Sequence, residues 1–239
     1  MVTALVVVAG ALGLVVGHLL NHAAGRFPWP DQKRAGSRGA ATPTTGRLPV
    51  RPLHDCVGVA VRGPAVDVGA ALLFVLATLR FGPSWELPAF LFLAAAGVLL
   101  AVIDFQHHLL PNRVVVPSIG IGAVLLLVAA VAGQEWAALL RAVLGAVILF
   151  AVFLVLALIS PHSLGMGDVK LSGLLGLYLG WLGWGALVVG AAAGFVIQAL
   201  FALVLLAGWR IGLRGELPFG PAMLAGAVLA IGWSDALLS

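Results

Sequence analysis

The chain has 239 residues, of which 62% are hydrophobic and only 9% are charged. Apolar runs close to the ~20 residues that cross a bilayer recur along it, which excludes a soluble domain and indicates a polytopic membrane protein. The single cysteine, Cys56, excludes an internal disulfide and a zinc site made of several thiolates. The net charge of +4 is explained by loops that face anionic lipid headgroups, without a nucleic-acid partner.

Hydropathy predicts an all-α bundle of about eight transmembrane helices. The predicted spans are Val2–Leu20, Ala65–Leu79, Leu87–Ile103, Val114–Ala132, Trp136–Ile159, Val169–Leu179, Gly185–Gly208 and Phe219–Leu238. The uncharged stretch from Leu171 to Trp209 is about twice as long as one span. We therefore expect two helices there, joined by an interfacial hairpin whose aromatic side chains are Tyr178, Trp181 and Trp184.

The chain divides into three predicted parts. Residues 1–20 lack the basic region and the cleavage site of a secretory signal, which predicts an uncleaved transmembrane anchor. Residues 21–64 are basic and proline-rich, with too few apolar side chains for a core, which predicts a short cytoplasmic loop. Residues 65–239 form the remaining bundle. This arrangement puts every lysine and arginine except Arg80 and Arg141 on the cytoplasmic side, in agreement with the positive-inside rule.

Two aspartates stand at the ends of predicted spans. Asp104 falls at the cytoplasmic end of the third span and Asp168 at the cytoplasmic start of the sixth, so both lie at the same depth. A carboxylate there is costly unless it is neutralised, paired or hydrated, which indicates a functional site. Two carboxylates around one water can act as base and acid in peptide hydrolysis. The structural alternative is that each caps a helix or pairs with Lys170 or Arg113.

The sequence around both aspartates resembles that of the type IV prepilin peptidases. Gly165-Met-Gly-Asp168-Val-Lys170 is similar to their GxGD signature, and Asp104 followed by Leu-Pro111-Asn112 is similar to their first aspartate motif. Segments 17–28 and 217–221 resemble, in the same order, the family's Gly-Ser-Phe-Leu-Asn with Arg-Leu-Pro and its Ile-Pro-Phe-Gly-Pro. The similarity spans nearly the full chain.

The resemblance implies a membrane aspartic endopeptidase of the GxGD type, with Asp104 and Asp168 as the catalytic residues. The supporting motif residues are Gly165, Gly167, Lys170, Pro111 and Asn112. The implied substrates are prepilin or pseudopilin precursors, which lose a short basic leader at the cytoplasmic face of the inner or plasma membrane. No metal or other cofactor is implied, and membrane lipid is the other expected partner.

The first loop departs from the pattern of larger relatives. Those proteins carry two Cys-x-x-Cys pairs that bind zinc in this loop, whereas residues 21–64 hold only Cys56. We therefore expect a loop without zinc. Many relatives also methylate the new N-terminus with S-adenosylmethionine, an activity associated with this region, and the sequence leaves open whether this chain does so.

Other polar residues near the predicted cytoplasmic face have two interpretations. Asp67 and Glu216 are candidates for recognising the basic leader, but pairing with Arg62 or Arg214 is the simpler role. Three histidines offer a metal site as an alternative, although they lack a ligand spacing such as His-x-x-x-His. They are His107, His108 and His162.

Two other classes of function compete with a peptidase. A proton-coupled transporter also uses carboxylates within the membrane, but it usually holds them near the midplane in broken helices of internal repeats, which the sequence does not show. A catalytically inactive assembly protein of a pilus or secretion system would explain the apolar composition without any role for Asp104 and Asp168.

Overall fold

All regular structure in the described part of the chain is helical. The computed structural model describes residues 2–24, 64–107, 111–160, 164–207 and 218–238, and these ranges contain eight α-helices and no strand. The helices are α1 (Val2–Ala24), α2 (Pro64–Phe81), α3 (Leu87–His107), α4 (Asn112–Gly133), α5 (Trp136–Ile159), α6 (Met166–Leu182), α7 (Trp184–Ala207) and α8 (Gly220–Leu238). The predicted all-α bundle is confirmed. The predicted loop at residues 21–64 lies almost wholly outside the described residues.

Helix length and composition suit a bilayer. Six of the described helices, α1 to α5 and α7, are long and apolar enough to cross a membrane. The remaining two are shorter, since α6 has 17 residues and the apolar part of α8 runs from Gly220 to Trp233. Helices satisfy their backbone hydrogen bonds internally, which the hydrocarbon region requires. The chain is therefore a multi-pass membrane protein.

The short helix α6 occupies the centre of the bundle. Every side chain from Leu171 to Trp181 is buried, so α6 meets protein rather than lipid over most of its length. Glycines let its backbone approach α5 directly. A Cβ atom at Gly176 would lie 2.5 Å from the carbonyl oxygen of Gly145, closer than any real contact. This close packing fixes the position of α6 and of the residues at its start.

The connection between α6 and α7 corrects one prediction. The expected interfacial hairpin is a turn of one residue, Gly183 at φ 147°. Trp184 is 46% exposed, as expected of an interfacial side chain, but Tyr178 and Trp181 are 0% and 4% exposed and belong to the core. The prediction was wrong for those two residues because neighbouring helices, not lipid, surround the last turns of α6.

The two ends of the bundle carry different side chains. We call the end where α3 stops and α4, α6 and α8 begin the aspartate end, because Asp104 and Asp168 lie there. The opposite end, at the α2–α3, α4–α5 and α6–α7 connections, is the tryptophan end. Four exposed tryptophans mark it, a pattern typical of a membrane–water interface. They are Trp85, Trp136, Trp184 and Trp233.

Candidate active site

Asp104 lies in the last turns of α3 and faces the start of α8. The helix runs past the predicted limit at Ile103 to His107, since backbone hydrogen bonds continue a helix beyond its apolar part. Asp104 is 5% exposed, and its Oδ2 accepts a hydrogen bond from the backbone N–H of Gly220 at 3.1 Å. The first N–H groups of a helix lack an intrahelical acceptor and carry partial positive charge. The start of α8 is therefore a natural partner for a carboxylate.

Gly220 is the site residue that sequence reasoning missed. Its segment, residues 217–221, carries one of the four motifs, but the sequence alone indicates no contact with Asp104. A Cβ atom at Gly220 would lie 2.6 Å from Asp104 Oδ2, so any side chain would push the carboxylate away. Only glycine lets the α8 backbone approach Asp104 closely enough to bond it. The sequence feature that could have indicated this contact is the glycine between Phe219 and Pro221, at the start of a helix.

Asp168 lies in the first turn of α6 and is held by the residue before that helix. The backbone N–H of Gly165 donates to Asp168 Oδ2 at 3.3 Å, and the Asp168 N–H donates back to the Gly165 carbonyl oxygen at 3.1 Å. This side-chain bond is the half of a capping box that the third helical residue supplies. Gly165 itself has extended backbone geometry, and Gly167 lies within the same first turn.

The fold brings the two aspartates into electrostatic contact. Asp168 lies outside the six membrane-length segments, and burial, followed by the charge of Asp104, raises the pKa of its carboxyl above the usual range. Leu171, one turn after Asp168, has its Cδ2 3.6 Å from the position that a Cβ atom at Gly220 would occupy, and Asp104 Oδ2 lies 2.6 Å from that position. Within the described ranges, neither carboxylate has an ion pair with a lysine or arginine. Among the described residues, Asp168 is therefore influenced by the charge of Asp104 and by no paired cation.

The motif residues beyond the aspartates also meet. Lys170 Nζ donates to Asn112 Oδ1 at 2.6 Å, which joins the start of α6 to the start of α4. Pro111 occupies the N-cap position of α4, where its lack of an N–H has no cost. The sequence alternative in which Lys170 pairs with an aspartate is wrong, because its ammonium bonds an amide instead. The bond between Lys170 and Asn112 thus connects the segment that follows Asp104 to the helix that contains Asp168.

Asp67 lies at the same end of the bundle, on the first turn of α2. The neighbouring Val66 packs in a small buried cluster with Val102, two residues before Asp104. Asp67 Oδ2 is 3.8 Å from Nδ1 of His18, while Asp67 Oδ1 is buried and has no hydrogen-bond partner among the described residues. The second candidate for leader recognition, Glu216, lies outside the described residues, as do Arg62 and Arg214.

No metal site is formed by the side chains that the structure describes. Within them, no group of three or more histidine, cysteine, aspartate or glutamate residues is arranged to hold an ion. His108, His162 and Cys56 lie outside the described residues, as does the side chain of His107. The absence of a metal cofactor stays a prediction.

Comparison with known proteins identifies the family. Residues 91–231, which include both aspartates and Gly220, match the type IV leader peptidase family. The chain belongs to this family. Its members in the curated set include the prepilin leader peptidase/N-methyltransferase of Bacillus subtilis, 34% identical over 74% of this chain and 68% of that protein. The Pseudomonas putida protein of the same name is 32% identical over 74% of this chain and 60% of its own length.

This member of the type IV leader peptidase family covers only part of some relatives. It spans about 60% of the Pseudomonas putida protein and 59% of the Pseudomonas aeruginosa protein, which is 29% identical to it. No solved structure matches the chain significantly. The family match contains three of the four motifs on which the resemblance rests and supports it.

Proposed function

We propose that this chain is a membrane aspartic endopeptidase that removes the short basic leader from type IV pilin-like precursors. The observation that carries the proposal is the meeting of Asp104 and Asp168 at one end of the bundle. Asp104 is buried and Asp168 is half-buried, each accepts one backbone N–H, and neither has a cationic partner in the described ranges. A structural helix cap would not need two such groups within electrostatic reach of each other.

The proposed chemistry uses one proton shared by the pair. One carboxylate, ionised, takes a proton from a water while that water's oxygen attacks the scissile carbonyl carbon. The other, protonated, donates its proton to the carbonyl oxygen, giving a neutral tetrahedral intermediate. Collapse of this intermediate breaks the C–N bond: the departing nitrogen takes up the proton held by one carboxyl, and one hydroxyl of the intermediate gives its proton to the other, which restores the singly protonated pair. The two groups titrate as a unit, so neither acid nor base is assigned to one residue.

We place the aspartate end in the cytoplasm, in an inner or plasma membrane. The described cations Arg113 and Lys170 lie at this end, and in the sequence the basic segment 21–64 connects α1 to α2. Arg80 and Arg141 lie at the tryptophan end. This distribution agrees with the positive-inside rule. A cysteine at Pro83, which is exposed in the α2–α3 loop, should react with a membrane-impermeant maleimide from outside intact cells in a Cys56→Ser background. Protection of that cysteine would contradict the orientation.

Asp67 is our candidate for binding the basic leader. It lies beside the α3 turn that precedes Asp104, and its buried Oδ1 has no partner in the described residues. A leader ammonium or guanidinium would supply one. Asp67→Asn should raise the KM for a precursor with a basic leader and leave kcat unchanged. A precursor whose leader charges are replaced by glutamine is the control, because its KM should not respond. Equal KM changes for both precursors would contradict the assignment, and Glu216 would be tested the same way.

Methylation of the new N-terminus is a separate question. The relatives' printed names join a leader peptidase to an N-methyltransferase. The loop associated with methylation, residues 21–64, holds one cysteine, and we infer that it carries no zinc. Elemental analysis should find well below one zinc per chain, and Cys56→Ser should cleave precursor normally. Stoichiometric zinc that is lost in Cys56→Ser would contradict this inference.

Cleavage by the purified protein tests the proposed function. Wild-type protein in detergent, mixed with a pilin-like precursor, should release the leader just before the hydrophobic helix, as identified by mass and N-terminal sequence. Asp168→Asn should leave the precursor intact. Intact precursor with the wild type, under conditions where the precursor and the protein remain folded, would contradict a peptidase and favour an assembly protein.

A further inference from the structure

The tryptophan end contains a polar cavity that peptide cleavage does not use. It has a volume of about 330 Å³, within the range of small-molecule sites. It lies between the end of α2, the α2–α3 loop, the start of α5 and the end of α6, and so on the opposite side of the bundle from Asp104 and Asp168. Six polar or amphipathic residues line it: Arg80, Ser84, Glu86, Glu135, Arg141 and Trp181.

Two polar residues that line this cavity each have a buried side-chain atom without a partner in the described structure. Arg141 Nη2 donates to the carbonyl oxygen of Trp181 at 3.4 Å, but the Arg141 Nε–H is buried without an acceptor among the described residues. The hydroxyl of Ser84 is also buried without a partner there. Buried donors are rarely left unsatisfied, because losing water without gaining a bond is costly. Because Arg141 lines the cavity and its side chain makes one hydrogen bond in the described structure, its guanidinium can donate further hydrogen bonds to a ligand with acceptor oxygens.

The carboxylates of the cavity restrict the charge of that ligand. Glu86 Oε2 accepts a hydrogen bond from Trp181 Nε1 at 3.0 Å, while Glu135 is exposed at the rim. Neither glutamate is within ion-pair distance of Arg141 in the described structure. Arginine suits a phosphate group, whereas a nearby carboxylate repels an anion and attracts an ammonium. A ligand with one phosphate and one ammonium fits both the arginine and the carboxylates.

The position of the cavity indicates where such a ligand comes from. The cavity lies at the same end as the four exposed tryptophans, the level at which lipid headgroups meet the protein. We propose that it binds the phosphoethanolamine headgroup of a phospholipid in the leaflet opposite the aspartates. Arg141 holds the phosphate, and Glu135 holds the ammonium. This site does not depend on the proposed peptidase activity.

Native mass spectrometry of the purified full chain tests the site. Wild-type protein should retain one phosphatidylethanolamine and prefer it to phosphatidylglycerol by about tenfold or more, the effect of one charged contact. Arg141→Gln should lose this lipid. Arg113→Gln removes the same charge at the aspartate end and should keep it. Equal retention by wild type and Arg141→Gln, or a wild-type preference for phosphatidylglycerol, would overturn the proposal.

Two further measurements distinguish a lipid headgroup from a free phosphate compound and provide a variant that should fold. Soluble phosphoethanolamine and inorganic phosphate should compete poorly with the lipid, and full displacement by either at equal concentration would show a site for a free phosphate compound instead. Glu135 is exposed, so Glu135→Gln should fold even if Arg141→Gln does not. It should reduce the preference for phosphatidylethanolamine over phosphatidylglycerol by about tenfold. An unchanged preference would overturn the assignment of the ammonium.

Discussion

The charged groups at the aspartate end and at the tryptophan end of this bundle have different hydrogen-bond partners. At the tryptophan end, Glu86 accepts the indole N–H of Trp181, and Arg141 bonds the carbonyl oxygen of the same residue. At the aspartate end, Asp104 and Asp168 each accept one backbone N–H and have no cationic partner in the described residues. Glu86 and Arg141 are thus each bonded to the same core residue, Trp181, while the two aspartates bond only backbone N–H groups and keep oxygen lone pairs available for a proton and a water.

Removing a carboxylate should abolish cleavage at the aspartate end and leave it unchanged at the tryptophan end. Asp104→Asn and Asp168→Asn should each lower precursor cleavage by about 10³-fold or more, because an amide keeps the volume but cannot exchange a proton. Asp235→Asn, in the last turn of α8 at the tryptophan end, is the matched control and should cleave normally. Single-turnover cleavage with purified proteins measures the difference. Substantial cleavage by Asp104→Asn or Asp168→Asn would show that the carboxylates of the aspartate end are no more important for cleavage than those of the tryptophan end.

Gly220 offers a second way to break the aspartate end without touching a carboxyl group. Gly220→Ala places a Cβ atom 2.6 Å from Asp104 Oδ2, so the carboxylate must move. We expect kcat to fall by about tenfold to a hundredfold, since catalytic groups tolerate little displacement. Gly232→Ala lies on the same helix with nothing within 4 Å of its Cβ position and should change neither kcat nor Tm. Similar kcat values for the two variants would show that the α8 backbone does not position Asp104.

The bond between Lys170 and Asn112 predicts a smaller effect at the same end. Lys170→Met and Asn112→Ala should each lower kcat by about threefold to tenfold, the effect of one hydrogen bond. The double variant should be no worse than the worse single variant, because both changes break one contact. Arg113→Gln, next to Asn112, controls for loss of charge. Independent, multiplicative losses in kcat would mean that the two residues do not act through their mutual bond.

Hydropathy was sufficient to predict the helices and that both aspartates lie at the same end of the bundle, because apolar length and charge placement govern membrane insertion. It could not predict the contact of Asp104 with Gly220, which joins segments 116 residues apart and depends on how α3 and α8 pack. It also misplaced Tyr178 and Trp181. Aromatic residues at a span end look alike in sequence whether lipid or protein surrounds them, and only the central position of α6 decides between the two.

The pH dependence of cleavage tests most directly whether the two carboxyls work as a pair. At low pH both are protonated and no base is present, while at high pH both are ionised and no proton donor remains. We therefore predict a bell-shaped profile of kcat at saturating precursor. Burial and the charge of Asp104 raise the pKa of the Asp168 carboxyl, so the bell should lie above the range in which ordinary aspartates titrate. A kcat that rises to a plateau and stays there at high pH would show a single base and contradict the dyad.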